Sequence, residues 1–141
     1  MINLAMAVML QAGMVSAEPV ALKAETLSYT DAYAQSQAGD KPLVVLVGAD
    51  WCPACVQMKK STLPQVAQNG IFKDVAFTVV DTDRQSDIAK QVMEGGSIPQ
   101  LIMYHKTSDG WKRERLMGGQ SPTAVISFLR RGVQAAGRLV N

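Results

Sequence analysis

The chain predicts an α/β domain: a central mixed β-sheet with helices on both faces. Three observations carry this. The run Leu43-Val44-Val45-Leu46-Val47 is apolar at every position, as a strand covered on both sides must be. Strand-like and helix-like patterns alternate along most of the chain, which calls for crossovers and hence parallel neighbours. Late in the chain, Ser108-Asp109-Gly110 separates two strand-like stretches with hairpin-turn chemistry, adding an antiparallel pair.

Taken in order, Glu25-Thr26-Leu27-Ser28-Tyr29 reads as a short edge strand. Residues 30–38 read as a helix capped by Thr30 and stopped at Gly39. Lys41-Pro42 launches the buried strand at 43–47. A helix opens at Pro53, whose missing N–H falls harmlessly in the first turn. It runs through Met58, Leu63, Val66 and Ala67 towards Asn69-Gly70, and Pro64 should kink or divide it near Thr62-Leu63. Residues 75–81 form a second apolar strand, and 85–93 a helix closed by Gly95-Gly96. Strands at 101–105 and 111–117 flank the hairpin turn. Gly118-Gly119-Gln120 breaks the pattern, and Ser121-Pro122 starts a last helix through Val125, Ile126, Phe128 and Leu129. Arg130, Arg131 and Arg138 fall towards its C-terminal end, where cations suit the helix dipole. The expected order is β-α-β-α-β-α-β-β-α.

Between the buried strand and its helix lies Trp51-Cys52-Pro53-Ala54-Cys55. A helix's first turn holds backbone N–H groups without intrahelical partners, at the positive end of the dipole. A thiolate at Cys52 is stabilised there and its pKa falls. Cys55 follows nearly one turn later, so the two sulfurs are within reach of a short disulfide. Cys52 is therefore expected to attack and Cys55 to resolve. A metal site would be the alternative, but zinc takes about four ligands. The chain offers two cysteines and one histidine distant in sequence, so the expectation is no metal and no cofactor beyond the cysteine pair.

These residues, with Ser97-Ile98-Pro99-Gln100 further on, resemble the thioredoxin-like thiol–disulfide oxidoreductases over roughly residues 24–136. The resemblance implies a thioredoxin-like fold and dithiol–disulfide exchange with protein or peptide substrates. It implies a cis bond before Pro99, with Ile98 offering backbone groups to an extended substrate segment. Trp51 looks like the aromatic of the active-site rim, Pro53 and Ala54 like the pair that tunes the reduction potential. Gly118 aligns with a glycine of the substrate groove, although a plain turn glycine reads equally well. Asp50 occupies a position often acidic in the family. Pro64 lies further from the second cysteine than the helix-bending proline of most members. That spacing is similar to the exported branch, which includes the electron-delivering domains of the thiol–disulfide interchange system. One departure concerns proton transfer: the buried aspartate of thioredoxin is replaced here by Leu46, with Val79 on the following strand offering no compensation. Water, or a differently placed Asp50, would have to move the resolving proton.

His105 reads as a surface or hairpin residue, Trp111 as a sheet-face residue, and Met58, Met93, Met103 and Met117 as core fillers. Hydrophobic residues make up 48% and charged residues 18%, an ordinary globular balance for one domain of 141 residues. Fourteen Lys and Arg against twelve Asp and Glu leave +2, which with no basic run excludes a nucleic-acid binder.

Residues 1–17 carry no charged side chain and end in Val15-Ser16-Ala17, which suits a small-residue cleavage rule. The reading is a signal peptide at 1–17, a flexible start at 18–23, the domain at 24–136 and a tail at 137–141. The n-region has no Lys or Arg, so an apolar helix and an uncleaved anchor stay open. The expected protein is exported, periplasmic or secreted, monomeric, without stable membrane insertion once cleaved, and served by a protein redox partner that resets the disulfide. The preferred direction is reduction. A disulfide oxidase of the same fold and a non-catalytic binding module are the alternatives.

Overall fold

A computed structural model of the chain describes residues 26–137. The signal-like segment 1–17, the start 18–23, Glu25 and the tail from Arg138 onward lie outside these residues.

The first helix, α1 (Tyr29–Gly39), is capped by Ser28 rather than Thr30. The Ser28 hydroxyl oxygen accepts the Asp31 N–H at 3.1 Å while its proton goes to the Asp31 carboxylate at 2.7 Å. This local pair satisfies an orphan donor of the first turn and draws Tyr29 into the helix. Among the described residues of the expected edge strand, Leu27 forms a parallel bridge with Thr78. Leu27 is held there by its N–H on the Phe77 carbonyl (3.0 Å) and its own carbonyl on the Thr78 hydroxyl (2.9 Å).

Among the described residues four strands make one mixed sheet. They are β1 (Leu43–Gly48), β2 (Ala76–Asp81), β3 (Gln100–Thr107) and β4 (Gly110–Met117), in the order β2-β1-β3-β4. β1 and β2 are parallel; β1 with β3, and β3 with β4, are antiparallel. Every residue of β1 is buried, because helices cover both faces. Its alternation splits the core in two. Leu43, Val45 and Val47 face α1 and α4 (Ser86–Val92), packing with Ala32, Ala89 and Val92. Val44 and Leu46 face the opposite layer, packing with Met58, Leu63 and Val66 and with Phe128 and Leu129 of α5 (Pro122–Ala135).

That opposite layer contains the active-site helix, which is divided at Thr62-Leu63, just before Pro64, as the sequence led one to expect. The chain passes from α2 (Pro53–Gln57) through a π turn (Met58–Thr62) into α3 (Leu63–Gln68). The Leu63 N–H reaches five residues back to the Met58 carbonyl. Proline offers no N–H and its ring crowds the carbonyl four residues earlier, so the wider register of the preceding turn accommodates it. A 3₁₀ turn (Ile71–Asp74), not anticipated from the sequence, follows Gly70 at φ 82° and buries Ile71 and Phe72.

Two further expectations are corrected. His105 is buried, because β3 continues to Thr107 and carries it into mid-strand; its Nε2 meets the Glu114 carboxylate at 2.9 Å across the hairpin. Met117 is 42% exposed at the end of β4, whereas Met58 and Met103 are core residues.

Phe128 is 1% exposed at the centre of the α5 layer, so Phe128→Ala should lower unfolding free energy by about 3–5 kcal/mol, read from the urea midpoint at unchanged slope.

Candidate active site

The site forms where β1 stops. The buried Ala49 carbonyl accepts the Cys52 N–H at 3.2 Å, closing a tight turn that sets Cys52 as the N-cap of α2. From that position Cys52 Sγ accepts the Cys55 N–H at 3.2 Å, and the two cysteines are joined as a disulfide with Cα atoms 5.2 Å apart. Pro53 occupies the first helical turn, where its lack of a donor costs nothing. Cys52 is 6% exposed and Cys55 1%, so a partner sulfur arriving from solvent meets Cys52 first.

Sequence reasoning missed the residue that permits this approach. A Cβ built on Gly48 would lie 2.9 Å from Cys55 Cβ and 3.0 Å from its Sγ. Only glycine lets the strand end press against the resolving cysteine. A glycine closing an otherwise apolar strand was the available signal, since strand glycines often mark close approach.

The second wall comes from the chain entering β3. The Ile98–Pro99 peptide bond is cis, Pro99 is buried, and the Ile98 carbonyl oxygen lies 4.0 Å from Cys52 Sγ. Gly118 closes the groove: its N–H donates to the Pro99 carbonyl at 2.8 Å, and its φ of 75° suits glycine. The structure thus gathers Cys52, Cys55, Ile98, Pro99 and Gly118, with Ala54 in the adjoining helical turn. Gln100 was a second omission. Fully buried, its amide donates to the Glu94 and Ser97 carbonyls (3.0 and 2.8 Å) and accepts the Glu94 N–H (3.2 Å). It staples the loop that delivers Ile98, and nothing in its sequence context announces that.

Trp51 is 68% exposed, held at the rim by Nε1–H donation to the Asp83 carboxylate at 2.9 Å. Asp83 and its neighbour Arg84 are fixed in turn by Asp81, which accepts both backbone N–H groups at 2.8 and 3.1 Å. Arg84 reaches back to Asp50 at 2.9 Å, and Lys59 approaches the same carboxylate at 3.5 Å. The Arg84 hydrogen bond and charge, with help from Lys59, hold the Asp50 carboxyl below the usual carboxylate range. An exposed carboxylate so paired is a poor proton carrier near neutrality. Leu46 and Val79 lie opposite each other in the β1–β2 register, so neither offers an acid or base.

A family model described as thioredoxin matches residues 23–131. The chain is 34% identical to thioredoxin-2 of Saccharomyces cerevisiae over 62% of its own length and 77% of that protein's. It is 26% identical to the thiol:disulfide interchange protein DsbD of Pasteurella multocida over 59% of its own length, but spans only 15% of that much longer relative. Among solved structures, a thioredoxin from Thermus thermophilus superposes with a TM-score of 0.64 at 21% identity, covering 77% of this chain and 86% of the other.

Gly48→Ala forces a Cβ into the Cys55 side chain, so the oxidised protein should lose about 1–3 kcal/mol in urea unfolding. Arg84→Ala should raise the Asp50 pKa towards its ordinary 3.8, read by carboxyl NMR titration. The sign follows from the depressed folded value. Pairing stabilises the fold above the unfolded pKa and is lost as pH falls through the folded one, so the variant should show less loss on that acid limb.

Proposed function

The chain belongs to the thioredoxin family and is a thiol–disulfide oxidoreductase, and from that premise we propose that it reduces protein or peptide disulfides in an exported compartment. One observation supports the exchange chemistry: a Cys52–Cys55 disulfide at a helix N-terminus with the Ile98 carbonyl beside the more exposed sulfur.

The reduced protein would begin with Cys52 as thiolate, stabilised by the Cys55 N–H and the other free donors of the first turn. An extended substrate lies against the backbone of Ile98, between Trp51 and the Pro99–Gly118 wall. The Cys52 thiolate attacks one substrate sulfur. The substrate S–S bond breaks, its second sulfur leaves as a thiolate that takes a proton from solvent, and a mixed disulfide forms. Cys55 then loses its proton and attacks Cys52 Sγ, expelling the first substrate sulfur as a thiol. Two electrons have moved to the substrate, and the protein is left as its disulfide. Among the described residues no carboxylate is buried beside Leu46, and Asp50 is engaged by Arg84, so Cys55's proton goes to solvent. The redox group is the cysteine pair itself, with Pro53 and Ala54 setting its potential.

The direction and compartment draw on the sequence: the similarity to exported electron-delivering domains and the charge-free segment 1–17. Each cycle ends oxidised, so a protein partner must return two electrons. The working unit is a single chain.

Equilibration of the Cys52–Cys55 couple against glutathione, read by thiol labelling, tests the direction. A potential near −270 mV is expected, roughly that of a thioredoxin, whereas one near −120 mV would make the protein a disulfide donor. Cys55→Ser should accumulate mixed disulfides with its substrates and Cys52→Ser none. A wild-type pair that exchanges with no disulfide would leave only a binding module.

A further inference from the structure

The loop from Gly118 to Ser121 is fastened on two sides. Gly118 is tied to Pro99, and both backbone groups of Gln120 are tied to the π turn of the active-site helix. The Gln120 N–H donates to Met58 Sδ at 3.3 Å, and the Thr62 hydroxyl donates to the Gln120 carbonyl at 3.2 Å. Between this loop and the helix an open cleft of about 350 Å³ remains. Ala54, the residue before Cys55, lines it, so the cleft adjoins the redox groove.

Its chemistry is specific. Among the described residues that line it, none is charged. The Ser121 oxygen accepts the Ala124 N–H at 3.2 Å, which leaves the hydroxyl proton to donate. The Gln120 amide nitrogen is committed to the Met117 carbonyl at 2.8 Å, leaving its oxygen to accept. Gln57, exposed on the helix, supplies a further amide. Donors and acceptors line the cleft together, and the bonds to Gln120 hold its loop side in place before any substrate arrives.

We propose that this cleft is a side-chain subsite that selects disulfides bearing asparagine or glutamine within two residues of the attacked cysteine. The proposal rests on the oxidoreductase reading above. A carboxamide presents one donor face and one acceptor face, matching the wall. A charged side chain would lose hydration without gaining a counter-ion, and an apolar one would cover lining groups without pairing them. The volume takes a long side chain with several waters, each occupying about 30 Å³.

The test uses symmetrical peptide disulfides with Gln, Ala or Glu at each flanking position, reduced by the dithiol protein under single-turnover conditions. 2-Hydroxyethyl disulfide, which has no side chain to occupy the cleft, is the reference. At one position the Gln peptide should react about tenfold faster than its Ala and Glu counterparts. Gln57→Lys supplies a cation at the rim and should turn the preference towards Glu. Gly119→Val adds bulk where a Cβ would already lie 3.8 Å from that of Ala54, and should abolish the preference. Gln peptides within about twofold of the others at every position, or a preference unmoved by both variants, would overturn the subsite alone. Failure of the wild type to reduce even 2-hydroxyethyl disulfide would overturn the oxidoreductase reading, and the subsite with it.

Discussion

The contact between the end of β1 and the first turn of the active-site helix is what the rest of the molecule is arranged to hold. With hydrogen at the side-chain position of Gly48, the strand can end against Cys55. That contact fixes where the helix N-terminus points, and the N-terminus fixes Cys52 as its cap. Because β1 lies between β2 and β3, both neighbours deliver their own chain ends to the same edge of the sheet. β2 ends in Asp81, which organises the loop holding Trp51, while β3 begins at Gln100, directly after the cis bond. The site is therefore assembled by strand order, with β2 and β3 one strand away from the cysteines and Gly118, at the end of β4, two strands away.

Charge near the cysteines is spent on the protein itself. Asp50, Asp81, Arg84 and Lys59 form a connected set on the surface, and Asp83 is committed to the Trp51 ring N–H. Exposed pairs of this kind contribute little to stability, being open to solvent and to salt. Their consequence is positional: they hold Trp51 and its loop at the rim and keep Asp50 ionised. The position next to Val79 is a leucine packed into the core, which carries no acid or base.

The parts of this arrangement legible in the sequence were those with a strong local signature. The apolar run of β1, the cysteine pair before a proline-led helix and the hairpin at Ser108-Asp109-Gly110 each follow from short-range rules, and each stands where expected. What escaped depends on contacts distant in the chain. Leu27 could not be told from a full strand without knowing that Ser28 and Asp31 would cap a helix around it. His105 seemed a hairpin residue because the length of β3 is set by pairing with β4, not by its own composition. Gln100 is buried only because the loop from Glu94 to Ser97 curls over it, and that curl leaves no mark on neighbouring residues.

Pro64 shows what the fold makes of a signal that is legible locally. Local rules say that a proline inside a helix ends or bends it, since one hydrogen bond is lost and one carbonyl is crowded. Here the helix is held on both sides of the proline, by Met58 and Leu63 before it and Val66 after it, buried in one cluster with Phe128 and Leu129. Keeping those side chains buried favours continuing the helix over breaking it, and the cheaper adjustment is one wider turn. That turn carries Met58 and Thr62, the two side chains that grip the backbone of Gln120. A local defect in the helix thus coincides with the point where the β4–α5 loop is anchored, and the same anchor joins the loop bearing Gly118 to the helix bearing both cysteines.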